Sequence, residues 1–186
     1  MMTSPIGTRR CCVALSLMFV LGHSAIFRAS TPPPKRASAP TTLRSTDARL
    51  LEMVEQGLVR SDTLRTLQAR LQRSQVIVYV ERAALPSGLA GRTCLMAAAS
   101  GWRYLSIEID TRLGRLDALV ILGHELQHAI EIGEADDVTD DISLAALYRR
   151  IGIEDKAPQI AGLWFETREA LDMGRRVHAD LFGSGW

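Results

Sequence analysis

Between Ala118 and Ile132 the chain is apolar almost all the way round a helical turn: Val120, Ile121, Leu122, Leu126, Ala129 and Ile130 leave no broad polar face. Such a helix is stable only as a central element with others packed around it. The same run holds His124, Glu125 and His128, in a chain with four histidines in all. Polar side chains on a buried helix are costly unless each finds a partner. The segment therefore sets a chemical question as well as a packing one.

Helical geometry answers part of it. Residues i and i+4 sit one above the other on the same face, so the imidazoles of His124 and His128 project side by side as a bidentate metal site. Glu125 is rotated by about 100° from His124, too far to join them easily as a ligand but well placed for a water on the metal. This is the H-E-x-x-H pattern, in which two histidines bind Zn²⁺ and the glutamate serves as general base. The competing reading is a pair of core histidines bonded to backbone beside a surface glutamate.

The rest of the chain reads as the surround of that helix. Its 186 residues suit one globular domain. Thr46 or Asp47 can cap a helix carrying Leu50, Leu51, Val54 and Leu58, and Ser61 a second one carrying Leu64, Leu67 and Leu71. Gln75 to Glu81 is a β-branched run suited to a buried strand, and "LPSGLAG" a loop. "TCLMAAAS" and "RYLSIEID" flank an "SGW" turn and read as a hairpin. Asp117 is the expected cap of the motif helix, and a further capped helix is expected from Ile142 to Ile151. The acidic run "EADDVTDD" lacks the ligand spacing and central glycine of an EF-hand loop and reads as a solvated loop.

The N-terminus reads as a targeting segment. Arg9 and Arg10 precede "CCVALSLMFVLG", an apolar run that matches a secretory h-region and falls short of the roughly 20 residues that span a bilayer. Residues 1–24 are expected to be a signal peptide cleaved near Ser24, or else an N-terminal membrane anchor. Residues 25–44, rich in Pro, Ala and Ser, are expected to be a linker, and 45–186 the folded domain. Cys11 and Cys12 would leave with the leader, and Cys94 alone cannot form an internal disulfide. The formal net charge of +1 gives no electrostatic case for nucleic acid as a partner. The oligomeric state is not readable.

In "VILGHELQHAI", and in the order helices, hairpin, alternating strand, motif helix, the chain resembles the zincin superfamily of zinc metallopeptidases. The resemblance implies a small α+β zincin-like domain with a short mixed sheet. An edge strand would lie beside the buried H-E-x-x-H helix, and a C-terminal helix would carry a further ligand. Here Arg103 to Asp110 would be the edge along which a peptide substrate lies. The metzincin branch is disfavoured, because Glu131 and Glu134 stand where it has glycine and histidine. The gluzincin branch takes a glutamate from a later helix. Glu166 and Glu169 are the candidates, although Ala170 replaces that branch's aspartate four residues on.

Stepping along a final helix from Glu166 gives Ala170, Met173, Val177 and Leu181, a buried stripe on which a carboxylate needs a cation. Stepping from Glu169 gives Asp172, Arg176 and Asp180, a solvated face. Glu166 is therefore the expected third ligand, with Glu169 as the alternative. Glu131 shares the His face, and Tyr148 and His178 are candidates for contact with the transition state or for support of the ligands, each against the plainer reading of an ordinary surface or packing residue. The expected activity is hydrolysis of peptides or proteins with Glu125 as general base and zinc as cofactor, in an exported protein. The alternatives are a non-catalytic zinc-binding or pseudo-peptidase domain and a metal-free helical interaction module.

Overall fold

The structure is a computed structural model that describes residues 12–16, 42–154 and 165–183. The chain runs β1 (Cys12–Ser16), β2 (Leu43–Arg44), α1 (Ala48–Arg60), α2 (Asp62–Leu71), β3 (Val76–Ala83), β4 (Leu89–Ala99), β5 (Trp102–Asp110), α3 (Arg115–Glu134), α4 (Asp141–Ile151), β6 (Ile153–Glu154), β7 (Phe165–Glu166) and α5 (Arg168–Phe182). The architecture is α+β: a small mixed sheet, in the order β1-β4-β5-β3-β2, with helices packed on it. β6 and β7 form a separate antiparallel pair.

Local chemistry accounts for most boundaries. Asp47 accepts from the amides of Arg49 and Leu50 at the start of α1, and Ser61 accepts from Leu64 N at the start of α2. A capping box of Asp140 and Ser143 begins α4. Ser100 and Gly101, with φ of 52° and 80°, form a two-residue turn between β4 and β5, since both central residues need positive φ for the twist to match the strands. β2 and β3 run parallel, joined by α1 and α2 as the crossover that parallel pairing requires.

α3 is the axis of the molecule. Every residue from Ala118 to Ile132 is buried, and the helix packs against α5, α2, β5 and β4. Leu105, Ile107 and Ile109 of β5, all at 0% exposure, cover it on the sheet side. Gly91 of β4 permits the close approach on that side: a side chain there would collide with Ile121 and come within 2.9 Å of Glu125 Oε1.

Several expectations need correction. Arg103–Asp110 is not an edge: β5 is paired on both sides, antiparallel to β4 and parallel to β3, because the hairpin folds outward and β3 takes the vacant side. Leu89 to Gly91, expected in a loop, already belong to β4. Asp117 lies in the first turn of α3 rather than capping it; the N-cap is Gly114, which makes no side-chain bond. Leu43 and Arg44, assigned to the linker, pair with β3, and Leu43 is in the core at 3% exposure.

Cys12 to Ser16, assigned to the leader, pair antiparallel with β4. Cys94, expected to be a lone thiol, is disulfide-bonded. The expected cleavage point near Ser24 and the body of the linker lie outside the described residues. No helix among the described residues is long and apolar enough to cross a membrane.

Candidate metal centre

One and a quarter turns of α3 carry His124, Glu125 and His128, all at 0–1% exposure. The third member is Glu166, which the sequence reading put on the final helix. It stands instead in β7, one residue before Thr167, the N-cap of α5. Glu166 meets the two histidines because the chain enters α5 along the line of its buried face, which continues through Ala170 and Val177. Glu169, in the first turn of α5, is exposed.

The ligand atoms converge. His124 Nε2 and His128 Nε2 are 3.1 Å apart, and Glu166 Oε1 lies 3.3 Å from the first and 3.4 Å from the second. A tetrahedral site with ligands at about 2.0–2.1 Å has edges of about 3.3–3.4 Å, close to the sides of this triangle, so the three atoms could share one metal ion. Glu166 Oε2 is buried with no hydrogen-bond partner among the described residues, which leaves the carboxylate a lone pair to give to a cation. Two imidazoles and one carboxylate are a donor set that could hold a divalent metal ion. The residues fit the ion.

Behind the triangle lies a second ring of contacts. His128 Nδ1 is 2.9 Å from Glu131 Oε2; a carboxylate accepts, so Nδ1 donates, and with a metal bound Nε2 would give it the ring's lone pair. Glu131 in turn accepts from Thr167 Oγ1 at 2.8 Å and Gln127 Nε2 at 3.2 Å. Thr167 also caps α5 by accepting from Ala170 N, so one hydroxyl fixes both the helix start and the orienting carboxylate. Its own amide donates to Glu166 Oε1 at 2.8 Å.

Tyr148 is buried, with its hydroxyl 3.3 Å from His128 Nδ1 and 3.4 Å from Glu131 Oε2. That places it on the rear edge of the imidazole, away from Nε2, so it supports the ring and does not reach the space in front of the triangle. His178, nearly three turns into α5, stacks on Phe182 at 4.4 Å and is not among the residues whose ligand atoms converge.

Glu125 stands apart from the triangle. Thr93 Oγ1 on β4 donates to its Oε2 at 2.7 Å, while Oε1 is buried without a hydrogen-bond partner among the described residues. Burial raises the pKa of Glu125, offset in part by His124, His128 and the Thr93 bond. For His128, burial opposes the charge, but Glu131 and Glu166 outweigh it and raise the pKa to about 10. Burial likewise pushes Glu166 up, and the two histidines more than reverse this, lowering it to about 2. Burial, with the carboxylate of Glu131 next in weight, holds Tyr148 well above the usual phenol range. Three glutamates enclosed with two imidazoles call for positive charge at the centre, from protons or from a metal.

Thr93 and Gly91 escaped the sequence reading. They meet Glu125 from a strand that pairs nowhere near it in sequence, and no local pattern marks them. A cavity of about 350 Å³, lined by Arg70, Arg73, Arg103 and Glu134 among others, lies beyond the C-terminal end of α3 and holds none of these groups. No protein-family model matches the chain, no curated protein matches its sequence and no solved structure matches its fold.

Proposed function

We propose that the chain is a zinc-dependent metallopeptidase of the zincin kind, gluzincin-like in taking its third ligand from a later glutamate. The observation that carries this reading is the pairing of a closed ligand triangle with a separate buried carboxylate that is not part of it. His124, His128 and Glu166 would hold the ion. A zinc ion there supplies Lewis acidity, lowering the pKa of water toward about 7 and polarising a substrate carbonyl.

The chain's own groups supply the proton transfer. Thr93 fixes Oε2 of Glu125, which leaves Oε1 as the atom to take a proton from the attacking water and return it to the leaving amine. A structural metal site has no use for such a group. The proposed substrate is a peptide or protein, and we propose export.

One observation favours a second reading. His124, Glu125, His128 and Glu166 are at most 4% exposed, which suits a metal that holds a small core together without turning over substrate. Glu125→Gln separates the two. On the catalytic reading the variant keeps one zinc per chain by elemental analysis and loses peptide hydrolysis by about 10²–10⁴-fold. Loss of zinc as readily as in His124→Ala would remove the assigned roles. A folded wild type that takes up no metal would leave the helical interaction module.

A further inference from the structure

In the cavity beyond the C-terminal end of α3, the charges are sorted by depth. Its walls bring Arg70 of α2, Arg73 of the turn that follows and Arg103 of β5 together with Glu134 and Asp136. Arg73 and both carboxylates are exposed, whereas Arg103 is 5% exposed. Arg103 has no carboxylate partner among the described residues; it donates to the carbonyls of Val138 and Gly101, each at 3.2 Å, and of Ala135 at 2.7 Å. Those bonds account for its place, tying the turn between β4 and β5 to the end of α3, but carbonyl dipoles do not neutralise a buried charge. The guanidinium also has N–H donors left over after them. Arg73 has no side-chain partner among the described residues. Arg70 pairs with Glu134 through side chains 34% and 61% exposed, a solvated pair that an incoming anion can replace.

Arg70 also reaches inward. Its Nη1 donates to Gln127 Oε1 at 3.1 Å, Gln127 Nε2 donates to Glu131 Oε1 at 3.2 Å, and Glu131 Oε2 accepts from His128 Nδ1 at 2.9 Å. Gln127 and Glu131 are buried, at 4% and 8% exposure. The direction of the amide is forced: arginine can only donate, so Gln127 turns its oxygen to Arg70 and its NH₂ to Glu131. A line of hydrogen bonds thus begins in the cavity and ends on the ring of His128.

We propose that this cavity binds a small molecule through an oxyanion, phosphate-like or carboxylate, held by Arg103, Arg73 and Arg70, and that the bound anion strengthens metal binding at His124, His128 and Glu166. Guanidinium forks match such groups with paired N–H bonds, and about 350 Å³ is the small end of ligand pockets. The two ends of the Arg70 fork have separate tasks, since Nη2 holds Glu134 and Nη1 holds Gln127. An anion that takes the place of Glu134 at Nη2 leaves Nη1 where it is and steadies it, which keeps Gln127 on Glu131 and Glu131 on His128. Linkage makes the effect reciprocal. The anion site stands without the peptidase reading; the relay rests only on the metal-binding part of it.

The test uses the full chain at constant ionic strength, with sulfate as the phosphate-like probe and succinate as the carboxylate one; the tighter of the two names the class of oxyanion. Calorimetry on the metal-free protein measures binding. Nitrogen NMR of the histidine rings in the metal-free protein follows the relay, and competition against a chromogenic chelator measures zinc affinity with and without the anion. The variants Arg73→Ala and Glu134→Gln change only exposed side chains, and Gln127→Met cuts the relay at similar volume.

One probe is expected to bind saturably, about tenfold more weakly in Arg73→Ala. Glu134→Gln, which removes the competing carboxylate, should tighten it by about two- to fivefold. At saturation the His128 ring signals should move and zinc affinity should rise by about fivefold or more, an increase that Gln127→Met abolishes while still binding the anion. No saturable binding of either probe, binding that Arg73→Ala leaves unchanged, or zinc affinity and His128 signals indifferent to the anion would each overturn the proposal. A folded chain that binds the anion and takes up no zinc would sink the peptidase reading and leave the anion site standing, with the His128 signals deciding whether the relay reaches that ring.

Discussion

α2 and α3 lie against each other and are built on opposite rules. In α2 the buried residues are Leu64, Leu67 and Leu71, one stripe at helical spacing, and its polar side chains face outward, where water satisfies them. In α3 the buried set from Ala118 to Ile132 includes His124, Glu125, Gln127, His128 and Glu131. No solvated face exists there, so those groups must satisfy one another, with Thr93, Thr167 and Glu166 drawn in from other elements. The difference predicts different failures. Damage to α2 is a loss of packing and stays local, whereas damage to α3's network strands the partners that remain, because an unpaired buried charge costs more than the pair was worth.

The largest effect that would sharpen this contrast comes from Glu166. Glu166→Ala is expected to abolish zinc binding and to destabilise the zinc-loaded protein by about 3–5 kcal/mol, through loss of the ion and through two imidazoles left without their carboxylate. Leu67→Ala in α2, where the side chain has 0% exposure, should cost a comparable amount, about 2–5 kcal/mol, yet keep one zinc per chain. Glu169→Ala should lie within about 0.5 kcal/mol of wild type. Denaturant melts with and without zinc, beside elemental analysis, read all three. Zinc retained in Glu166→Ala and lost in Glu169→Ala would move the ligand role to the exposed carboxylate.

A smaller effect is expected one shell out. Glu131→Gln keeps an acceptor near His128 Nδ1 but removes the charge that holds the ring's proton there. Zinc affinity should fall by about 10–100-fold with the triangle intact. Competition against a chromogenic chelator measures it. An unchanged affinity would reduce Glu131 to packing and make α3 less of a network than the contacts suggest.

How far these features were legible depended on whether their cause is local. His124, Glu125 and His128 share one helix and one period, so their relation could be read from spacing. Glu166 could be found because a carboxylate in line with Ala170 and Val177 has to be matched inside the protein, although its true place is a strand residue ahead of the helix and not the helix itself. The pairing of β3 with β5, which moves Arg103–Asp110 into the sheet interior, was not legible: parallel pairing is decided by chain crossings, and an alternating strand looks the same at an edge or at the centre. Thr93 was illegible for a related reason, since a threonine in a strand has no signature until the helix it faces is known. The N-terminal apolar run has the composition of an h-region and also that of a strand, and composition alone does not separate them.

The smallest predicted effect tests the α2 side of the comparison, where a buried polar group does occur and is satisfied by two partners only. Ser61, at 0% exposure, accepts from Leu64 N as the cap of α2 and donates to Asp180 Oδ2 of α5 at 2.6 Å. Asp180 Oδ2 also accepts from Thr63 N at 3.0 Å. Burial raises the pKa of Asp180, but the bonds from Ser61 and Thr63 outweigh it, and the folded value lies below the ordinary 3.8. A carboxylate with a depressed folded pKa contributes its stability fully above the unfolded value and loses it as pH falls through the folded one. Asp180→Asn should therefore cost about 0.5–1 kcal/mol near pH 6, the low part of the range for a hydrogen bond because the side chain is exposed and screened. The gap from wild type should shrink as the pH falls below about 4 and close below the folded pKa. Denaturant melts at several pH values read the gap directly. A cost that stays constant down to about pH 2 would mean that Asp180 acts through shape and not through charge, and a cost of several kcal/mol would show that this corner of α2 is coupled as tightly as the network around α3.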